Sequence, residues 1–151
     1  MDYRTAIYKY CNYQERSHKE VRDKLYELGA YTEEVNSLIV ELIEANLLNE
    51  ERFATALARG KFRQKHWGRI KIIQLLKQHR ISAYLIQKAL KEIDPNEYFA
   101  TALKLGTRKW DQLAAERDDY IKQGKLYRYL LQKGYESSLI KEVIHGLLTM
   151  E

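Results

Sequence analysis

Leu28-Gly29-Ala30-Tyr31-Thr32-Glu33-Glu34-Val35 reads as the end of one helix and the start of the next. Gly29 is a stop, because glycine alone enters the left-handed conformation of a helix C-terminus without strain. Thr32 starts a second helix, and Glu33 and Glu34 put negative charge in its first turn, where the helix dipole favours it. The pattern returns twice. Ile81-Ser82-Ala83-Tyr84-Leu85 follows His79-Arg80, and Tyr135-Glu136-Ser137-Ser138-Leu139 follows Lys133-Gly134. Each copy gives an apolar residue, a cap, and an apolar residue four positions on. The copies lie 50 and 54 residues apart. Ile81 and Tyr135 are placed to staple onto Ile86 and Ile140. In the first copy Asn36 holds the staple position, and Ala30 is one extra residue after the glycine.

Working outward, apolar residues keep a helical period almost everywhere. Val21, Leu25 and Leu28 share one face, as do Val35, Leu38, Ile39 and Leu42. No useful stretch alternates as a strand would. Ser17-His18-Lys19-Glu20 is a capping box for a helix over 18–28, and Asn49 starts another helix. Ser82 opens a helix over 83–93. Asp94-Pro95-Asn96-Glu97 is an N-cap with proline at the first helical position and a reciprocal glutamate. A helix beginning near 118–122 ends at Gly134, and residues 106–118 read as a less regular connector. The fold predicted is all-α: an elongated, curved array of three tandem repeats of two to three short helices. These span 1–48, 49–94 and 95–151, because units near 50 residues bury too little surface alone and gain by stacking.

Charge divides the chain in the same places. Residues 1–51 carry six Lys/Arg and eleven Asp/Glu; residues 52–91 carry eleven Lys/Arg and no acid; residues 92–151 carry nine Lys/Arg and ten Asp/Glu. A block of forty residues without a carboxylate attracts polyanions or an acidic protein surface. Arg59, Lys61, Arg63, Lys65, Arg69 and Lys71 form its densest part, with His66 among them and Phe62 and Trp67 interleaved. Trp67 is expected to pack, whereas the cations are expected to bind. Arg52, Lys77 and Arg80 extend the patch, and Lys122, Lys125 and Arg128 form a second, weaker one.

Other classes of function find little footing. His18, His66, His79 and His145 lie in different elements without a second ligand at helical spacing, so no metal site is expected. No glycine-rich phosphate loop occurs, and no cofactor is expected. Cys11 stands alone, which suits a reducing compartment. No apolar run approaches the roughly 20 residues of a membrane span, and the N-terminus lacks the pattern of a secretory signal. A cytoplasmic, non-enzymatic, monomeric protein is expected.

Glu15-Arg16-Ser17-His18-Lys19-Glu20-Val21, with Lys24-Leu25 and Leu28-Gly29, resembles the opening of the RecX family. Leu47-Leu48-Asn49-Glu50-Glu51-Arg52-Phe53-Ala54 is similar to that family's most specific segment. Gly68-Arg69-Ile70, Leu75-Leu76, Ile81-Ser82 and Ala89-Leu90 follow in the same order, and Leu130 to Ile144 closes the match. His79-Arg80 departs from the Lys-Gly usual in the family, and Gln74 or Leu75 stands where it often has glutamate. The resemblance implies a regulator of the RecA recombinase, acting in recombination, DNA repair and the SOS response. Such a protein lies in the groove of the RecA–DNA filament, bridges subunits, and inhibits ATP turnover and strand exchange. The implied partners are that filament and, weakly, single- or double-stranded DNA. The alternative is a sequence-tolerant helical DNA- or RNA-binding protein with no recombinase partner. Charge reversal at Arg63, Lys65 and Arg69 is expected to weaken filament inhibition without changing helix content or melting.

Overall fold

A computed structural model describes residues 2–150; Met1 and Glu151, the outer ends of the first and third expected repeats, lie outside the described residues. Among those residues nine helices and no strand occur: α1 (Tyr3–Tyr13), α2 (His18–Glu27), α3 (Thr32–Glu44), α4 (Glu50–Lys65), α5 (Arg69–Gln78), α6 (Ala83–Leu90), α7 (Pro95–Gln112), α8 (Asp119–Lys133) and α9 (Ser137–Thr149). The all-α reading therefore holds. Among the described residues no helix is long and apolar enough to cross a membrane.

The caps are local chemistry. Ser17 accepts the Glu20 N–H while the Glu20 carboxylate accepts the Ser17 N–H, completing the capping box. Asn49, Ser82, Asp94 and Asp118 each accept a backbone N–H at the start of the next helix. Thr32 is the first residue of α3, not its cap; that place falls to Tyr31, whose N–H donates to the Glu34 carboxylate at 3.1 Å.

The recurring apolar residue before each cap is explained by how the preceding helix closes. Gly29, Arg80 and Gly134 have φ of 95°, 58° and 100°. The N–H of the next residue then reaches back five positions: Ala30 to Leu25, Ile81 to Leu76, and Tyr135 to Leu130. This is the Schellman closure, in which that residue folds back onto the helix. Ile81 and Tyr135 are buried in that role. In the first copy the extra Ala30 takes it, and Tyr31 is left 78% exposed.

Residues 106–118 do not form a connector. Helix α7 runs to Gln112, and only 113–118 separate it from α8. A glycine in that span suggests a break, but Gly106 is buried within the helix, where an added Cβ would come 2.7 Å from Val143 Cγ1. Its hydrogen lets α7 and α9 approach. Helix α6 is shorter than the sequence suggests and stops at Leu90.

By packing, the chain divides into two units. The first comprises Met1–Leu57 with Leu75–Ala89, and the second Ala58–Gln74 with Leu90–Glu151. In the first unit α1 packs on α2 and α2 on α3. Its core joins Ile7, Cys11, Val21, Leu25, Val35, Leu38, Ile39, Leu42 and Leu48, so the two apolar faces read from the sequence turn inward together. In the second unit α7, α8 and α9 pack against one another. Tyr98, Ala102, Leu105, Leu126, Leu130, Tyr135, Ile140 and Val143 are buried there.

Candidate functional site: the basic block

In the second unit the basic block occupies the end of α4, the turn 66–68 and the start of α5. His66 takes a left-handed conformation (φ 59°) and ends α4. The chain then meets the end of α8 at close range. Gly68 N–H donates to Lys133 O at 2.7 Å, and Ile70 N–H to Gly134 O at 2.9 Å. The positive N-terminal end of α5 thus meets the negative C-terminal end of α8, and each supplies what the other's unpaired backbone groups lack. Tyr135 Oη donates to His66 O at 2.8 Å and fastens the turn from the other side.

Beneath this junction lies a polar cluster. The Arg69 guanidinium lies 3.9 Å from the Tyr98 ring centre and reaches Glu136 at 2.8 Å. Arg69 N–H donates to Tyr98 Oη at 2.8 Å, and that hydroxyl donates to Glu136. Burial and the bond to Glu136 push the Tyr98 pKa well above the ordinary phenol value, and burial does the same to Tyr135. Glu136 stands at the N-cap of α9 but makes no side-chain cap there, its carboxylate being engaged by Arg69 and Tyr98. Phe62 and Tyr135 flank the Tyr98 ring at 5.8 and 5.2 Å.

The outer surface of the same segment is different. Arg63 and Lys65 are exposed, and among the described residues neither forms an ion pair. The ammonium groups of Lys61 and Lys71 lie 5.1 and 4.4 Å from the partly buried Trp67 ring. Trp67 packs, as expected, and gathers two cations as it does so.

The expected binding residues therefore separate into three groups. Arg52, Arg59, Arg69 and Lys125 meet the carboxylates of Glu15, Glu92, Glu136 and Glu116. Arg52 also bonds the Asn46 side chain and carbonyl, tying the turn before α4. Lys61 and Lys71 sit on Trp67, and Lys122 lies 3.8 Å from the Trp110 ring. Arg63, Lys65, Lys77, Arg80 and Arg128 are exposed without an ion pair among the described residues. The block without acids is thus partly compensated by acids from outside it. Reversal at Arg69 would break the cluster beneath the turn, so unchanged melting is not expected there; Arg63 and Lys65 are the cations that can be reversed without disturbing it.

In the first unit the structure adds a residue that the sequence does not single out. Arg22 lines a cleft of about 300 Å³ with His18, Lys19, Asp23, Glu50, His79 and Arg80. Arg22 and Arg80 lie 58 positions apart, and the only local sign was basic charge on an exposed face of α2. No group of three His, Cys, Asp or Glu residues among those described could hold a metal ion.

Two family sequence profiles match the chain. "RecX, second three-helix domain" matches residues 49–90, and "RecX, third three-helix domain" matches residues 96–144. Between them they span more than half of the sequence. The chain belongs to the RecX family. "Regulatory protein RecX" of Clostridium perfringens (strain 13 / Type A) is 34% identical over 137 residues, which cover 90% of this chain and 64% of that relative. The chain thus spans less than two thirds of that relative's length. "Regulatory protein RecX" of Prosthecochloris aestuarii is 29% identical over 93% of this chain and 89% of its own. The crystal structure of RecX from Lactobacillus salivarius superposes with a TM-score of 0.87 at 25% identity, covering 95% of this chain and 93% of that one. The second RecX domain match contains both sides of the turn at 66–68, and Glu136 and Tyr98 fall in the third.

Proposed function

We propose that this RecX-family protein is a non-catalytic, cytoplasmic regulator that binds the RecA filament on DNA and lowers its ATP hydrolysis and strand exchange. The observation that carries this reading is the exposed charge of Arg63 and Lys65, without an ion pair among the described residues, on the last turn of α4 beside a turn held from beneath. The anchored backbone presents both cations on one surface, and their attraction for a phosphate backbone or an acidic protein surface acts over about 10 Å at ordinary salt. Lys61 and Lys71, held on Trp67, enlarge the same positive surface. The family profiles and the relatives named as regulatory proteins support the regulatory part of the reading; the recombinase partner follows from the family resemblance.

The test is a titration of RecA's DNA-dependent ATPase at two salt concentrations. Inhibition is expected well below one protein per recombinase, weakening as salt rises. The double variant Arg63→Glu/Lys65→Glu should need roughly tenfold more protein for the same inhibition, a loss of about 1.4 kcal/mol of attraction. Its circular dichroism and melting should match the wild type. Inhibition that appears only at DNA-saturating amounts, and equally with an unrelated DNA-dependent ATPase, would refute the recombinase partner in favour of general DNA coating.

A further inference from the structure

The first unit carries its own concentration of positive charge, in a part of the chain whose composition is acidic. Its cleft joins the first turn of α2 (His18, Lys19), the next turn (Arg22, Asp23), the start of α4 (Glu50) and the end of α5 (His79, Arg80). Both carboxylates in it are already engaged. Asp23 meets Lys19 at 2.8 Å, and Glu50 accepts the His18 N–H at 3.3 Å and lies 3.5 Å from His18 Nδ1. His79 is held by Ser17 Oγ at 3.3 Å and by the Phe53 ring at 5.0 Å. Arg22 and Arg80 remain, both exposed and with no ion pair among the described residues.

Arg80 is the second observation. Its φ is 58°, in the left-handed region. At the same point of the helix closures before Ala30 and Tyr135 the chain uses Gly29 and Gly134. Glycine adopts this conformation without strain and arginine does not. The chain therefore keeps an arginine where its own repeats use glycine, and the side chain so kept lines the cleft.

We infer that this cleft is a phosphate-binding site, with Arg22 and Arg80 as the two cations that clamp the anion. Guanidinium forks suit phosphate oxygens because each gives two parallel N–H donors. The ligand class is a phosphate group, whether on a nucleic-acid backbone or in a free oligophosphate. The site lies in the other packing unit from Arg63 and Lys65, and the inference does not depend on a recombinase partner.

The experiment is calorimetric titration of the full chain with inorganic pyrophosphate, repeated for Arg22→Gln and Arg80→Gly. Each variant should bind at least about tenfold more weakly, the loss of one charge-assisted pair. Arg80→Gly should at the same time raise the urea midpoint, because the left-handed residue becomes unstrained. Stability and binding thus move in opposite directions, which general damage to the fold would not produce. Pyrophosphate binding that survives in both variants, or that is absent from the wild type, overturns the inference. The cleft variants are read by pyrophosphate binding and Arg63→Glu/Lys65→Glu by ATPase inhibition, so failure here and failure of the proposed function are separable. A short single-stranded oligonucleotide that displaces pyrophosphate identifies a backbone phosphate as the ligand; pyrophosphate that stays bound identifies a free oligophosphate.

Discussion

Replacing Gly68 with alanine should be among the most damaging small changes available in this chain. A Cβ at Gly68 would come within 2.3 Å of both the carbonyl carbon and oxygen of Gly134, and 2.4 Å of Tyr135 N. Ordinary contact begins near 3.4 Å, so the two backbones must part by about 1 Å, and no flexible side chain is there to yield. The same movement stretches the bonds from Gly68 to Lys133 and from Ile70 to Gly134, now 2.7 and 2.9 Å, past useful length. Each net bond contributes roughly 0.5–1.5 kcal/mol, and overpacking adds roughly 1–3 kcal/mol. A loss of about 3 kcal/mol is expected. Gly60→Ala is the matched control. Gly60 lies inside α4 with nothing within 4 Å of its added Cβ, so alanine there should stabilise by up to about 1 kcal/mol through helix propensity. Urea denaturation followed by far-ultraviolet circular dichroism measures both. The same methyl group should shift the midpoint in opposite directions. A Gly68→Ala protein within about 0.5 kcal/mol of the wild type would refute the close junction of α5 with α8.

Tyr98→Phe removes only a hydroxyl, yet it strips Arg69 N–H and Glu136 of a partner at once. A loss of about 2 kcal/mol is expected in the same denaturation assay, and a change below about 0.5 kcal/mol would show that water replaces the hydroxyl freely. Alkali should weaken the fold. Burial pushes the Cys11 thiol from 9.0 up to about 11 and raises Tyr98 and Tyr135 as well. The folded chain holds these protons where the unfolded chain has released them, so this contribution is complete below pH 9 and is lost as pH climbs through the folded values. The urea midpoint should fall between about pH 9 and about pH 11, and fall less steeply in Cys11→Ala; parallel curves would mean that the thiol is not protected.

Helix type and order were legible because their signals are local. Ser17 with Glu20, Asp94 with Pro95, and Gly134 each act within four residues, and each stands where the sequence puts it. Residues 106–112 were not legible as helix, because a glycine inside a helix and a glycine in a linker look alike until the partner helix is known; the partner of Gly106 is Val143 on α9. The site was legible as charge and not as geometry. Trp67 could be paired with Lys61 and Lys71 from spacing alone, since both lie within six positions. Glu15 beside Arg52, and Glu136 beside Arg69, are 37 and 67 positions away. Only packing reveals that these acids neutralise part of a block that reads as wholly positive. Arg80 was read as part of the basic patch, but its sharing of a cleft with Arg22, 58 positions away, was hidden for the same reason.

The boundary between the packing units crosses the chain after Leu57, Gln74 and Ala89, each time inside a helix: α4, α5 and α6. Cutting the polypeptide at any single loop therefore never yields two fragments that each own a whole unit. A piece ending at residue 57 would lose Leu76, Ile81 and Ile86, buried residues that belong with it. Proteolytic nicking or gene dissection should consequently leave at most one unit whole, and grafting this protein's modules onto another scaffold would need the segment 58–89 to travel with either end.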